Sequence, residues 1–276
     1  MLPSFLICGA QKAGTTALYE ALRAHPNVCM SEPKETDFFG SHYDRGWEWF
    51  ASHFEEYDGE DAVGEASSMT MASEEAPQRI AERLPDVKLI FLLRNPIERA
   101  YSHYYYHLYT GKAATSASFE DVVRDLDSEF RQEIIRLGRY DRQIPRFDEH
   151  FRRDQMKIVL QEDLKEDTAS IVQDVYRFVG VDASFTPATD THNATKHPTS
   201  PGLYYWMRKA WQPLEAVGEA ISPAAVDALR KSVRNVLTES DRPEMEPDTR
   251  RHLREVYHDT IRWTERRIGR QLSHWR

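Results

Sequence analysis

Short, wholly apolar runs alternate along this chain with stretches whose apolar residues recur every three or four positions. That alternation predicts parallel strands separated by helices. SFLIC (4–8) predicts a buried first strand. A glycine-bearing turn leads from it into TALYEALRAHP, where Leu18, Ala21 and Leu22 share a helical face until Pro26 stops it. NVCM (27–30) and DAVGE (61–65) predict two more short strands, with a helix starting near Ser73. KLIFLL (88–93) carries the strongest strand signal, an apolar run of the kind a central parallel strand needs. Asn95 can cap the helix after it, Pro96 suits its first turn and Gly111 can close it. Helical patterns fill most of 118–153, and MKIVLQ (156–161) predicts another strand.

Residues 182–202 are rich in Thr, Pro, Ser and Asp, a loop of the length that is usually either functional or disordered. From about Ser222 the tail is helical. Its Leu253, Tyr257, Ile261, Thr264, Ile268 and Leu272 are spaced to make one packing face. With no repeat or heptad array, the expected architecture is a single α/β domain over 1–276. It would be a P-loop-type three-layer fold, with a central, mainly parallel sheet flanked by helices and a helical C-terminal tail.

Composition narrows the function classes. The chain has 276 residues, 40% of them hydrophobic, enough for a sizeable core. A net charge of −9 argues against a general nucleic-acid binder, although a local basic cleft is compatible with it. Cys8 and Cys29 both lie in apolar runs, so buried free thiols are expected rather than a disulfide. No window approaches the ~20 apolar residues a membrane-crossing helix needs. The start, MLPSFLICG, has neither a basic n-region nor a cleavage site, so a soluble cytoplasmic protein is expected.

The chemistry begins at GAQKAGTT (9–16). A nucleoside-triphosphate loop reads G-x-x-x-x-G-K-[ST]. Here Gly9 and Gly14 keep the glycine spacing, but Thr15 follows Gly14 and the lysine, Lys12, stands inside the loop. A strand, a glycine turn and a helix bring backbone N–H groups and a helix N-terminus around an anion, and Thr15 and Thr16 can add hydroxyl donors. At the end of the strong strand, where a kinase would carry an acidic magnesium partner, the chain offers Arg94 and Asn95. An arginine there suits a second anion better than a metal.

GAQKAGTTALYEAL followed by KLIFLLRNPIERAYSHY resembles the sulfotransferases that use 3′-phosphoadenosine 5′-phosphosulfate (PAPS). Within that family the likeness is to the heparan-sulfate-type and related bacterial carbohydrate enzymes. It rests also on ETDFF (35–39), GEASS (64–68), LGRY (137–140), KIVLQEDL (157–164) and the closing LSHW, and so runs over nearly the whole chain. The resemblance implies that Gln11, Lys12, Ala13, Gly14, Thr15 and Thr16 bind the 5′-phosphosulfate. It also implies that Arg94 and Ser102 take the 3′-phosphate, and that Lys196 closes over the nucleotide.

It further implies Glu35 as general base, with Lys12 at the oxygen between sulfur and phosphorus. The by-product is 3′-phosphoadenosine 5′-phosphate (PAP), and no metal is required. His103 and His107 compete for the base role, because cytosolic members use histidine. A substrate-side contact suits His107, and surface or core placement suits His103. Phe38, Phe39 and the tyrosines 104–106 read as packing residues. Where the heparan-type enzymes carry E-K-S-P, this chain has Glu65, Ala66, Ser67 and Ser68, losing a lysine; their cysteine pair is also missing. These departures favour a soluble microbial relative.

The expected acceptor is a hydroxyl or amine of a carbohydrate, glycolipid or small metabolite, chosen by the loops at 40–60 and 110–120. Two other readings remain: a P-loop small-molecule kinase, and a non-catalytic nucleotide-binding module that keeps Arg94 and Ser102 without needing Glu35 or Lys12.

Overall fold

The computed structural model describes residues 2–110, 117–186, 197–198, 238–239 and 243–276. Five strands form one parallel sheet: β1 (Phe5–Gly9), β2 (Val28–Met30), β3 (Ala62–Ala66), β4 (Lys88–Leu93) and β5 (Met156–Leu160), in the order β2-β3-β1-β4-β5. β1 and β4 hold the centre because they are the most continuously apolar, and Phe5, Ile7, Ile90 and Phe91 have no exposed surface.

Helices are α1 (Thr15–Arg23), α2 (Gly46–Ala51), α3 (Ala76–Arg83), α4 (Pro96–Thr110), α5 (Phe119–Arg124), α6 (Glu129–Arg136), α7 (Tyr140–Asp148), α8 (Gln161–Glu166), α9 (Thr168–Val179), α10 (Pro247–Val256) and α11 (His258–Ile268). The alternation of side chains along β4 separates the layers. Phe91 meets Phe147 of α7 with ring centroids 5.1 Å apart, whereas Lys88, on the opposite face, lies 5.8 Å from the Phe178 ring of α9. α9 is tied in turn to α1 by the Tyr176 hydroxyl, which donates to the carbonyl of Ala21 at 2.7 Å.

The expected strands are present within a residue of their predicted limits, the first helix starts one residue early and ends at Arg23, short of the Pro26 stop, and β4 and α4 span the predicted runs. Two helical expectations shift. α3 starts at Ala76, because Ser73 is extended and its hydroxyl accepts from the Ala76 N–H at 3.3 Å. The pattern over 118–153 breaks into α5, α6 and α7. Ser118 and Asp121 close a reciprocal cap on α5, and Asp125 leaves the helical region at its end.

The described chain separates into two compact units. The first holds 1–99, 137–191 and 257–276, and so contains the whole parallel sheet; the second holds 100–136 and 192–256. In the first, Tyr257, Ile261, Thr264 and Leu272 are buried as their spacing predicts, while Ile268 is half-buried beside the Gly269 cap. In the second, Tyr101 and Tyr104 pack with Phe119, Tyr105 packs with both tyrosines, and the Tyr104 hydroxyl donates to the Ala117 carbonyl at 2.6 Å. The same unit carries a two-stranded antiparallel ribbon, β6 (His197–Pro198) with β7 (Thr238–Glu239). Cys8 and Cys29 are free and buried. Among the described residues, no helix is long and apolar enough to cross a membrane.

Candidate active site

The carboxyl ends of the strands in an open parallel sheet are where ligands bind, and the candidate residues of the first unit gather there. β1 ends at Gly9, with φ of 128°, and a Cβ on it would stand 2.5 Å from the Ser68 carbonyl oxygen after β3. Only glycine lets these two backbones approach so closely. The Ala10 N–H donates to the Leu92 carbonyl of β4 at 2.7 Å, so the loop is pinned on both sides of β1.

Lys12 then takes a φ of 70° and Gly14 a φ of 98°, which curl the loop into the N-terminus of α1. No side chain caps that end; the Ala17 N–H donates to the Gly14 carbonyl at 3.1 Å, and the N–H groups ahead of it are those a helix start can offer to an anion. Gln11 Oε1 is buried and has no hydrogen-bond partner among the described residues, which is uncommon for a buried polar atom. Ala13 and Thr15 are buried, Gly14 is half-buried and Thr16 is exposed.

β4 ends at Arg94, which is half-buried and donates from Nη1 to the Lys12 carbonyl at 3.2 Å. That bond joins the two expected anion positions. The Tyr140 hydroxyl steadies Arg94 by donating to its carbonyl at 2.9 Å. Asn95 caps α4 by accepting from the Ile97 N–H at 3.0 Å, as its position in the sequence suggests.

Glu35 follows β2 in a loop laid across the end of β3. Its N–H donates to the Ala66 carbonyl at 2.9 Å, and its Oε2 accepts from the Ser68 N–H at 2.7 Å and the Ser68 hydroxyl at 3.0 Å. Lys34 Nζ donates to the other oxygen, Oε1. Glu35 has a φ of 66° and Asp37 a φ of 49°, uncommon for residues with side chains and frequent where a functional group must be aimed. Phe38 and Phe39 hold the loop from behind, as expected: Phe38 stacks on Phe50 of α2 at 4.4 Å and 7°, and Phe39 meets the same ring edge-on at 5.4 Å. Arg79 of α3 donates to the carbonyls of Phe39 and Gly40 at 3.1 and 2.9 Å.

Beneath Glu35 lies a group that the motif reading named without giving it a role. Glu65 of β3 is 2% exposed, and its Oε1 accepts from the hydroxyls of Thr36, at 2.8 Å, and Ser67. Ser67 Oγ accepts in turn from the Asp37 N–H at 2.7 Å, so Glu65 braces both sides of the Glu35 turn. Burial pushes the Glu65 carboxyl up to about 7; the Ser67 and Thr36 hydrogen bonds oppose the rise, and the neighbouring charge of Glu35 adds to it. The available signal was the carboxylate inside AVGEA, a strand otherwise made of small apolar residues.

Ser102, His103 and His107 belong to the second unit, on α4, and are 4%, 0% and 7% exposed. His103 and His107 stack with centroids 4.1 Å apart, beside Glu133 of α6. Lys196 and the loop positions 111–116 fall outside the described residues.

The sulfotransferase-domain family model matches residues 2–265. A curated mouse (Mus musculus) relative, the bifunctional heparan sulfate N-deacetylase/N-sulfotransferase 4, is 34% identical over 196 residues. That match covers 65% of this chain, which spans only 22% of the relative's length. Among solved structures, a sulfotransferase from Alicyclobacillus acidocaldarius superposes with a TM-score of 0.74 at 25% identity, covering 100% of this chain and 99% of that one. Mouse sulfotransferase SULT7A1, solved in complex with PAP, shares the fold with a TM-score of 0.54 at 15% identity, covering 97% of this chain and 86% of that one.

Proposed function

This chain belongs to the sulfotransferase-domain family, and from that premise we propose that it transfers the sulfuryl group of PAPS to a hydroxyl or amine of a carbohydrate, glycolipid or small metabolite. The observation that carries the reading is the interlock at Ser68. Its carbonyl packs against Gly9 of the anion loop, and its N–H and hydroxyl hold the carboxylate of Glu35. Anion loop and candidate base are thereby built on one short piece of backbone.

The donor suits the residues present. Gln11, Ala13, Gly14, Thr15 and Thr16 surround an uncapped helix N-terminus, and Arg94 offers a guanidinium for the second phosphate of the nucleotide. When bound, the donor supplies an activated sulfuryl group. Glu35 removes the proton from the attacking acceptor, and its hydrogen bonds to Ser68 aim Oε2 as it does so. Lys12 neutralises charge developing on the leaving phosphate, which is where positive charge favours transfer. The PAP-bound mouse structure and the heparan-sulfate relative support the nucleotide and carbohydrate classes respectively.

Calorimetry with PAP and activity with PAPS test the reading. PAP should bind tightly without magnesium, and Glu35→Ala should keep that affinity while losing at least a hundredfold in transfer, the usual scale for general-base removal being about 10²–10⁴. Tight binding of ATP–magnesium in place of PAP would return the kinase reading. Normal transfer by Glu35→Ala would remove Glu35 from the base role.

A further inference from the structure

His103 and His107 stand four residues apart on α4, so both project from one helix face, and α6 brings Glu133 to meet them within the second unit. One ring nitrogen of each histidine and one carboxylate oxygen of Glu133 all lie within 4.8 Å of one another. The His103 Nε2 to Glu133 Oε1 separation is 3.5 Å.

We propose that His103, His107 and Glu133 form a binding site for one divalent transition-metal ion of the zinc class, which cross-links α4 to α6. The ligand set decides the class of ion. Two imidazole nitrogens and one carboxylate oxygen suit zinc and its neighbours, whereas calcium and magnesium ask for oxygen ligands throughout. Ligand bonds of about 2.0–2.2 Å at tetrahedral angles place donor atoms roughly 3.4 Å apart. The 3.5 Å pair is already at that spacing, and the remaining separations, none above 4.8 Å, are what a bound ion would have to draw in.

The surroundings fit as well. The Phe130 ring lies 6.2 Å from His103 and 5.4 Å from His107, an apolar wall that raises the value of a charged link by excluding water. The Glu133 side chain is 38% exposed, which leaves a way in for the ion and a fourth position for water. One carboxylate and two neutral imidazoles leave a dication with a single net positive charge, less costly to hold beside a partly exposed carboxylate than in a closed core. The expectation that no metal is required concerned sulfuryl transfer. This ion has different work, holding two helices together, and the proposal does not depend on the transfer reading.

The test uses the tag-free full chain, stripped with a chelator and titrated with cobalt(II) without any nucleotide present. Because the chain has 11 histidines, stoichiometry and spectrum both matter. One cobalt per chain should bind with the visible bands of a four- or five-coordinate ion, zinc should displace it, and zinc should raise the unfolding temperature. Glu133→Gln and His107→Gln should each weaken cobalt binding at least tenfold and abolish the zinc-dependent rise. Should His107→Gln fail to fold, Glu133→Gln decides alone, since its partly exposed side chain tolerates the change. Unchanged cobalt affinity and spectrum in the folded variants would overturn the site. So would no stoichiometric binding to the parent chain, which would leave the three groups as a packed His–His–Glu cluster. PAP affinity, measured separately, reports on the transfer reading whatever the metal result.

Discussion

Glu65 shows what one residue contributes beyond its type. It is fully enclosed, its carboxyl pushed up to about 7 from 4.5 chiefly by burial, and it braces the turn that carries Glu35 through Thr36 and Ser67. Between those two values the folded chain holds a proton that the unfolded chain has released. Stability therefore falls as pH rises through that window, by up to about 3 kcal/mol. Glu65→Gln mimics the protonated form and should flatten the slope, so its unfolding free energy should gain on the parent's as pH rises from about 4.5 to 7. Parallel pH profiles for the two proteins, measured by denaturant unfolding, would show that Glu65 does not titrate in this range. A proton on Glu65 also removes a second negative charge from beneath Glu35, and that couples the brace to the proposed base.

The element that matters most to the site is the segment from Glu35 to α2. Its sequence reads as a polar loop followed by aromatic residues, and Phe38, Phe39, Trp47 and Phe50 pack there as one cluster. Phe50 is 1% exposed at the cluster's middle, so Phe50→Ala should cost about 3–5 kcal/mol of stability. Because Phe38 lies three residues from Glu35 while the anion loop is held by β1, β3 and β4, transfer should suffer more than PAP affinity. Phe50→Leu, which refills most of the volume, should restore much of both stability and rate. Equal losses of rate and affinity in Phe50→Ala would mean that the cluster supports the whole unit rather than the Glu35 turn. At this scale the sequence announced β4, α4 and the E-x-x-F-F motif plainly. It was silent on the breaks between α5, α6 and α7, which depend on caps and tertiary partners rather than on periodicity.

For the molecule as a whole, the decisive arrangement is the strand order β2-β3-β1-β4-β5. It brings the chain ends after β1, β3 and β4, distant in sequence, to one edge of the sheet. A ligand held there binds only the folded chain, so PAP at a hundred times its dissociation constant should stabilise the protein by about 2.7 kcal/mol. Thermal unfolding should shift upward with PAP and be indifferent to added magnesium. A shift that required magnesium would point to a different nucleotide chemistry. Lys12 and Arg94 are joined there by the hydrogen bond from Arg94 Nη1 to the Lys12 carbonyl, a local placement of two basic residues that the net charge of −9 does not reveal.

What the sequence determined by itself is local and chemical: the apolar runs that become strands, the glycine turn with its displaced lysine, the cap at Asn95, and the motifs that mark the family. These are legible because period, turn chemistry and spacing are properties of neighbouring residues. Only the tertiary structure decided which distant residues share a site: Gly9 against Ser68, Ser68 against Glu35, Glu65 under both, and Glu133 beside His103 and His107. The physical reason is that strand order and helix packing are settled by burial summed over the whole chain, and no short segment encodes its partner at such a distance along it.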